Sequence, residues 1–336
     1  MVSLRWFVVF CLSVSFSFCA VAEGGPVLRF SLPPVLAALP VAFAQEWGLF
    51  EAHGVTVELI GVTDDLQRSA ALLTGNLDGL MSDVTHAVLD ASAGSDLVVT
   101  AAVHSRPQTG SVTLALLSPV SFRIGSLEEL LASNQLIGVL YRSDYEYMLD
   151  RMVDSALAGG KRTIRYSPFS DMLQLATMLG AQWLGSAVLP EPYISYIATY
   201  RPPGGRALEM VTLADFGEWT APPSVVVFRR SFLDRYPDAV AAFHAAIAET
   251  IERLNKTSRE EMVDTGLDVA ISLFFQAVDT ELIGQDVLDA LPIPVYEPLG
   301  SLPQEVYEDI LAWMRRKGYV MNAPAYASLV DGQFLP

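Results

Sequence analysis

Cysteine is nearly absent from this chain. Its two cysteines, Cys11 and Cys19, both fall within the first 22 positions, so a chain that begins near Glu23 can form no disulfide and no thiolate metal site. Positive charge is also scarce, with 21 Lys and Arg against 38 Asp and Glu and a formal net charge of −17. Phosphate binding needs a basic surface, so no nucleic acid is expected as a partner, and the surplus acid reads first as solubility. There is no His-Glu-x-x-His, no Gly-x-Ser-x-Gly and no Gly-rich phosphate loop, which leaves the common hydrolytic and phosphoryl-transfer chemistries without a signature. Beyond the N-terminus no apolar run approaches the ~20 residues of a membrane span. Low-complexity tracts and Pro/Gly/Ser linkers are missing too, which argues against domains strung like beads.

The N-terminus itself has Arg5, an uncharged apolar run from Trp6 to Phe18, and small residues at Ala20-Val21-Ala22. That pattern predicts a secretory signal over 1–22 and an exported, extracytoplasmic or periplasmic protein. A lipid anchor at Cys19 is the alternative, weakened by Phe18 where lipoprotein processing favours Gly, Ala or Ser. Roughly 314 residues then remain, more than one ordinary domain holds.

The remaining chain carries one pattern twice, about 108 residues apart. The first copy runs through strands at Val27 to Ser31, Val55 to Ile60 and Gly79 to Met81, with helical runs before Trp47 and from Asp64 to Thr74, and ends at Asp83. In the second, strands at Leu136 to Tyr141, Thr163 to Tyr166 and Ala187 to Leu189 alternate with helical runs from Asp144 to Leu157 and Ser170 to Leu179, ending at Glu191. Each copy is a βαβαβ unit, and such units predict an α/β protein with mostly parallel sheets whose ligands sit beyond the carboxyl ends of the strands. Two units predict two lobes with a cleft between them, lined by Asp83 and Glu191.

Strands at Val112 to Leu117 and Val225 to Phe228 are expected as crossovers between the lobes. Val240, Phe243, Ile247, Ile251 and Leu254 fall at helical spacing, as do Val306, Ile310, Trp313 and Met314, and both helices are expected to cover the first lobe's sheet. His244 beside the first stripe reads as packing, and Tyr193, Tyr196 and Tyr200 read as a core stripe more readily than as a binding surface.

Several segments, taken in order, carry a family resemblance. Leu39 to Glu51 followed by Gly54-Val55-Thr56-Val57-Glu58, then Leu73-Thr74-Gly75-Asn76-Leu77-Asp78-Gly79, Ser126-Leu127-Glu128-Glu129-Leu130 ahead of Ile137-Gly138-Val139, Pro190-Glu191-Pro192-Tyr193, and Phe232 to Phe243 resemble the type II periplasmic solute-binding proteins of the nitrate, sulfonate, taurine and thiamine-precursor (NMT1-like) group. The resemblance implies a discontinuous lobe I of 23–118 plus 225–336, a lobe II of 119–224, two crossover strands, and a hinge that closes on a small solute for delivery to the permease and ATPase subunits of an ABC importer. It implies no catalysis and no cofactor or metal. The thiamine-pyrimidine synthases of this fold carry a cysteine-rich motif that 23–336 lacks. A ligand sensor for a separate receptor is the alternative from another class, and a sulfonate, taurine or nitrate binder is the alternative within the family.

Ligand contacts are expected at the strand-end loops of both units. The candidates are Pro34, Ser82, Asp83 and Thr85 from the first, and Tyr141, Ser143, Tyr145 and Glu191 from the second, with Trp219 near the return crossover. Pro34 serves equally as a helix start, and Ser82 and Asp83 as helix caps. Ser143 and the free N–H groups of the turn after it form a polar cradle. Asp83, Asp144 and Glu191, with only Arg106 and Arg142 as counter-charges, point away from oxyanions and toward a neutral or cationic, ring-containing solute such as a thiamine-precursor pyrimidine.

Overall fold

The computed structural model describes residues 25–157, 164–199, 208–216, 221–272, 274–275 and 285–336. Residues 1–22, expected as a signal and containing Cys19, and also Tyr200 and Trp219, lie outside them. Two five-stranded sheets organise the rest. The first contains β1 (Val27–Ser31), β2 (Thr56–Leu59), β3 (Gly79–Ser82) and β4 (Leu97–Val103), joined by β11 (Ser224–Arg229) in the order β2-β1-β3-β11-β4. The second contains β6 (Leu114–Pro119), β7 (Leu136–Leu140), β8 (Arg165–Phe169), β9 (Ser186–Pro190) and β10 (Met210–Asp215) in the order β10-β6-β9-β7-β8. Short strands β5 (Ser105–Arg106) and β12 (Val295–Tyr296) pair separately.

Read from the opposite edge, the second sheet repeats the order of the first. β1 lies parallel between β2 and β3, as β7 lies parallel between β8 and β9. The next strand along is antiparallel in both, β11 beside β3 and β6 beside β9. These two are the strands expected at the crossovers, and each stands where the chain has just arrived from the other sheet. The passages themselves are 104–113 and 216–223.

Burial explains two strands on one side of the first sheet, β11 and the edge strand β4. β4 (Leu-Val-Val-Thr-Ala-Ala-Val) is buried along its whole length, as is the middle of β11, and a strand covered on both faces must read as a continuous apolar run. Gly79 is required where β3 meets β11, because a Cβ there would lie 2.7 Å from the Phe228 ring and 2.8 Å from the Val227 carbonyl oxygen. Over this sheet packs the long helix Pro237–Leu254, which buries the five-residue stripe read from its spacing. Its Phe243 ring lies 4.7 Å from Phe30 and stacks 5.0 Å from Phe50. His244 is fully buried, with Nε2 3.1 Å from Thr100 Oγ1 and Nδ1 3.2 Å from the Phe334 carbonyl oxygen, and burial pushes its pKa down to about 4. It is a packing residue. Tyr193 and Tyr196 are likewise buried, against Phe275.

The helix Gln304–Lys317 departs from expectation. It packs on the helix Val84–Ser92 of the first sheet but also on the helix Asp144–Ala156 of the second. Trp313 Nε1 donates to Asp150 at 2.8 Å, and Lys317 bridges Glu146 and Asp150 at 2.8 and 2.9 Å. The spacing of its apolar residues gave its buried face but not its second partner, since both neighbours accept the same stripe. Among the described residues no helix is long and apolar enough to cross a membrane.

Candidate functional site

The carboxyl ends of the parallel strands meet between the two sheets. β3 ends at Ser82, and Asp83 caps the helix that follows by accepting from His86 N at 2.6 Å. In the second sheet β7 ends at Leu140, and Ser143 caps the Asp144 helix, accepting from Glu146 N at 3.3 Å while donating to the Leu140 carbonyl at 2.6 Å. Both first turns are thereby set up as donor clusters facing one another.

Each is filled by the other's carboxylate. Asp144 accepts from Val84 N at 3.1 Å, Thr85 N at 3.0 Å and Thr85 Oγ1 at 2.5 Å, and Asp83 accepts from Asp144 N at 3.1 Å. The polar cradle expected beside Ser143 is therefore occupied from within the chain. A second set of contacts crosses nearby: Ser170 donates to Asp64 at 2.8 Å, Thr63 to Asp171 at 3.2 Å, and Asp65 N to the Ser170 carbonyl at 3.3 Å.

Charge is concentrated around this junction. His86 Nδ1 lies 2.9 Å from Asp83, and its Nε2 lies 3.9 Å from Asp65, which is paired with Arg68. Burial works to lower the His86 pKa, but the Asp83 and Asp65 carboxylates outweigh it and push it up to about 10, so the ring is an imidazolium at neutral pH. Burial, then the charge of Asp83, pushes Asp144 up to about 7. Burial opposes ionisation of Asp83 as well, yet the facing His86 charge and its hydrogen bonds hold that carboxyl below the usual range. Asp83 and Asp144 thus share the junction unequally, the first ionised and the second readily protonated.

The cleft behind the junction has two parts. A narrow one of about 40 Å³ is lined by Pro34, Asp65, Arg68, Asp83, His86 and Tyr145. A wider one of about 330 Å³ includes His104, Arg106, Tyr145 and Glu191, and Val35, Tyr145 and Ser224 border both. Glu191 is buried and accepts from Ser195 N at 3.0 Å and Ser195 Oγ at 2.9 Å, and burial pushes its pKa up to about 7.

Of the residues expected to contact a ligand, Pro34, Asp83, Tyr145 and Glu191 are brought together on the cleft walls. Ser82, Thr85 and Ser143 are buried, and the Thr85 and Ser143 hydroxyls are already committed to the bonds above. Tyr141 does not reach the cleft. It is 42 % exposed, stacks edge-on against Tyr319 at 5.6 Å, and lines a separate outer cavity together with Arg142. Asp65, Arg68 and His86 were not anticipated. The one available signal was spacing: His86 lies three residues past Asp83 and Arg68 three past Asp65, so each pair shares a helix face. Among the described residues no cluster of His, Cys, Asp or Glu suits a metal ion.

Residues 37–155 match the family model described as NMT1/THI5 like. No curated protein sequence matches the chain. Solved structures do. The ligand binding component of an ABC-type import system from Staphylococcus aureus, with zinc bound, has a TM-score of 0.67 at 16% identity, covering 92% of this chain and 98% of that one. The alkanesulfonate-binding protein SsuA from Xanthomonas axonopodis pv. citri, bound to MOPS, gives 0.67 at 15%, covering 92% and 99%. The periplasmic nitrate-binding protein NrtA from Synechocystis PCC 6803 gives 0.66 at 13%, covering 92% and 86%. At these identities the likeness is one of fold. Residues 37–155 carry the NMT1/THI5-like signature, and the chain has the two-sheet periplasmic-binding-protein fold that its sequence resemblance predicts.

Proposed function

We propose that this protein is the extracytoplasmic solute-binding component of an ABC importer, which captures a small neutral or cationic, ring-containing solute between its two sheets and presents it to a membrane permease. In this reading the lobe boundaries expected at 118 and 224 move to the passages, because β6 lies in the second sheet: the first lobe is 23–103 with 224–336 and the second 114–215, hinged at 104–113 and 216–223, with Pro34, Asp83, Tyr145 and Glu191 as contacts. The observation that carries the choice of ligand is the mutual filling of the two helix starts by Asp83 and Asp144. An oxyanion needs those N–H groups, which the chain's own carboxylates occupy, and the Arg68 and His86 charges on the same wall are already paired with Asp65 and Asp83. A solute with N–H donors, such as an aminopyrimidine, offers the carboxylates what they now take from the backbone. Solute bonds to both sides favour the joined arrangement.

A thermal-shift screen tests this reading. Aminopyrimidines and related neutral or cationic heterocycles are expected to raise the melting temperature, and nitrate, sulfate and taurine to leave it unchanged. Micromolar binding of any of these three oxyanions in calorimetry would overturn it.

A further inference from the structure

Outside the cleft lies a cavity of about 770 Å³, more than twice the wider part of the cleft and within the range of small-molecule sites. Its walls come from three regions. The helices Asp65–Leu73 and Val84–Ser92 provide one, the ends of β7 and β8 another, and the turn after the helix Gln304–Lys317 the third. Arg142 stands in this wall with its guanidinium 5.1 Å from the Tyr141 ring centre and 5.0 Å from that of Tyr319, so both aromatic faces hold it in place. The backbone there is in the left-handed region, φ 56°, which a side chain of this kind adopts at a cost of about 1 kcal/mol or more.

That guanidinium has no carboxylate partner among the described residues, and its Nε is buried without any hydrogen bond. The nearby acids are engaged: Glu146 by Lys317 and the Tyr319 hydroxyl, Asp150 by Lys317, Trp313 and Tyr166, and Asp90 by Ser69. In a chain with 38 acidic and 21 basic residues, an arginine held rigid and left unpaired needs an account. On the same cavity wall, Ser92 Oγ is buried and equally without a partner. Leu89, Phe169, Val320 and Met321, the last 90 % exposed, give the cavity its apolar wall, and His86, Asp90 and Ser170 add polar groups to it.

We propose that this cavity is a second ligand site, which takes a small aromatic carboxylate whose anionic group forks onto Arg142 and whose ring lies against Phe169, Leu89 and Met321. Guanidinium and carboxylate match in planar, two-bond geometry, and of the two cations on the wall His86 is already paired with Asp83, which leaves Arg142 for the ligand's charge. The cavity shares His86 alone with the narrow part of the cleft, and the proposal does not depend on what the cleft binds. Because its walls come from both sheets, an occupant would favour the arrangement in which they stand together.

Calorimetry with 2-naphthoate tests the proposal, with neutral 2-naphthamide as the control for the ring alone. Naphthoate is expected to bind the full protein, and to lose at least tenfold in affinity in Arg142→Gln and in the exposed rim variant Met321→Asp, which adds a like charge without touching the core. Naphthamide is expected to bind at least tenfold more weakly than naphthoate. Absence of naphthoate binding, equal affinity in Arg142→Gln, or equal affinity for naphthamide would each overturn the proposal. So would an Arg142→Gln protein that loses aminopyrimidine stabilisation in step with naphthoate, since both would then occupy the cleft.

Discussion

At the scale of single residues, three ionisable groups near the junction push stability the same way with pH. Asp144 and Glu191, ordinarily near 3.8 and 4.5, are both raised to about 7, and His86 rises from 6.5 to about 10. A group raised on folding adds stability that is complete below its unfolded value and is lost as pH climbs through its folded value. The carboxyls therefore withdraw support between about pH 4 and 7, and the imidazolium between about 6.5 and 10. Asp83, lowered by its partners, acts in the opposite sense only below about pH 4. Buried His244, lowered from 6.5 to about 4, acts in the opposite sense up to about pH 6.5, so the melting temperature is expected to fall from pH 6.5 to pH 9, and a flat or rising curve by calorimetric scan would contradict these assignments. Asp83 could be picked out from the sequence because it ends a strand and starts a helix, which is local information. His86, Asp65 and Arg68 could not, because their meaning lies in two helices leaning together. Tyr141 lines the outer cavity and not the cleft, and the positive φ of Arg142 beside it is a dihedral angle that leaves no trace in residue order.

At the scale of elements, the two helix starts cap one another across the sheets, where most helices are capped by their own neighbours. Asp144→Ala strips the acceptor from two backbone N–H groups and one hydroxyl, while Asp83→Ala strips it from His86 N and Asp144 N. Each is expected to cost about 1–3 kcal/mol in urea unfolding. If the caps work as one unit, the double variant costs less than the two single costs added, by at least about 0.5 kcal/mol. Strict additivity would mean that the two helix starts are independent. Elements whose burial follows one clear period were plain in the sequence: the Pro237 helix shows its stripe in full, and β4 and β11 their apolar runs. The helix Gln304–Lys317 was half legible. Its period gives a buried face, yet Trp313 and Lys317 reach polar partners on Asp150 that no periodicity encodes.

At the scale of the whole molecule, the duplication was the most legible feature, since a βαβαβ unit fixes three adjacent parallel strands and two such units account for six of the ten strands in the large sheets. The antiparallel β6 and β11 were located, but their places inside the sheets depend on long-range pairing. Two sheets joined at 104–113 and 216–223 predict a hinge: small-angle scattering is expected to give a smaller radius of gyration once an aminopyrimidine saturates the protein. An unchanged radius with a rising melting temperature would mean binding without closure. The placing of β11 also bears on the order in which the protein takes shape as it is made. β3 and β4 never touch as strands; β11, some 120 residues later, lies between them. The second sheet has all its strands once residue 215 has been synthesised, while the first waits for residue 229. The sheet whose first strand leaves the ribosome first is thus the last to have all its strands, so its completion must await a segment from the far side of the second sheet.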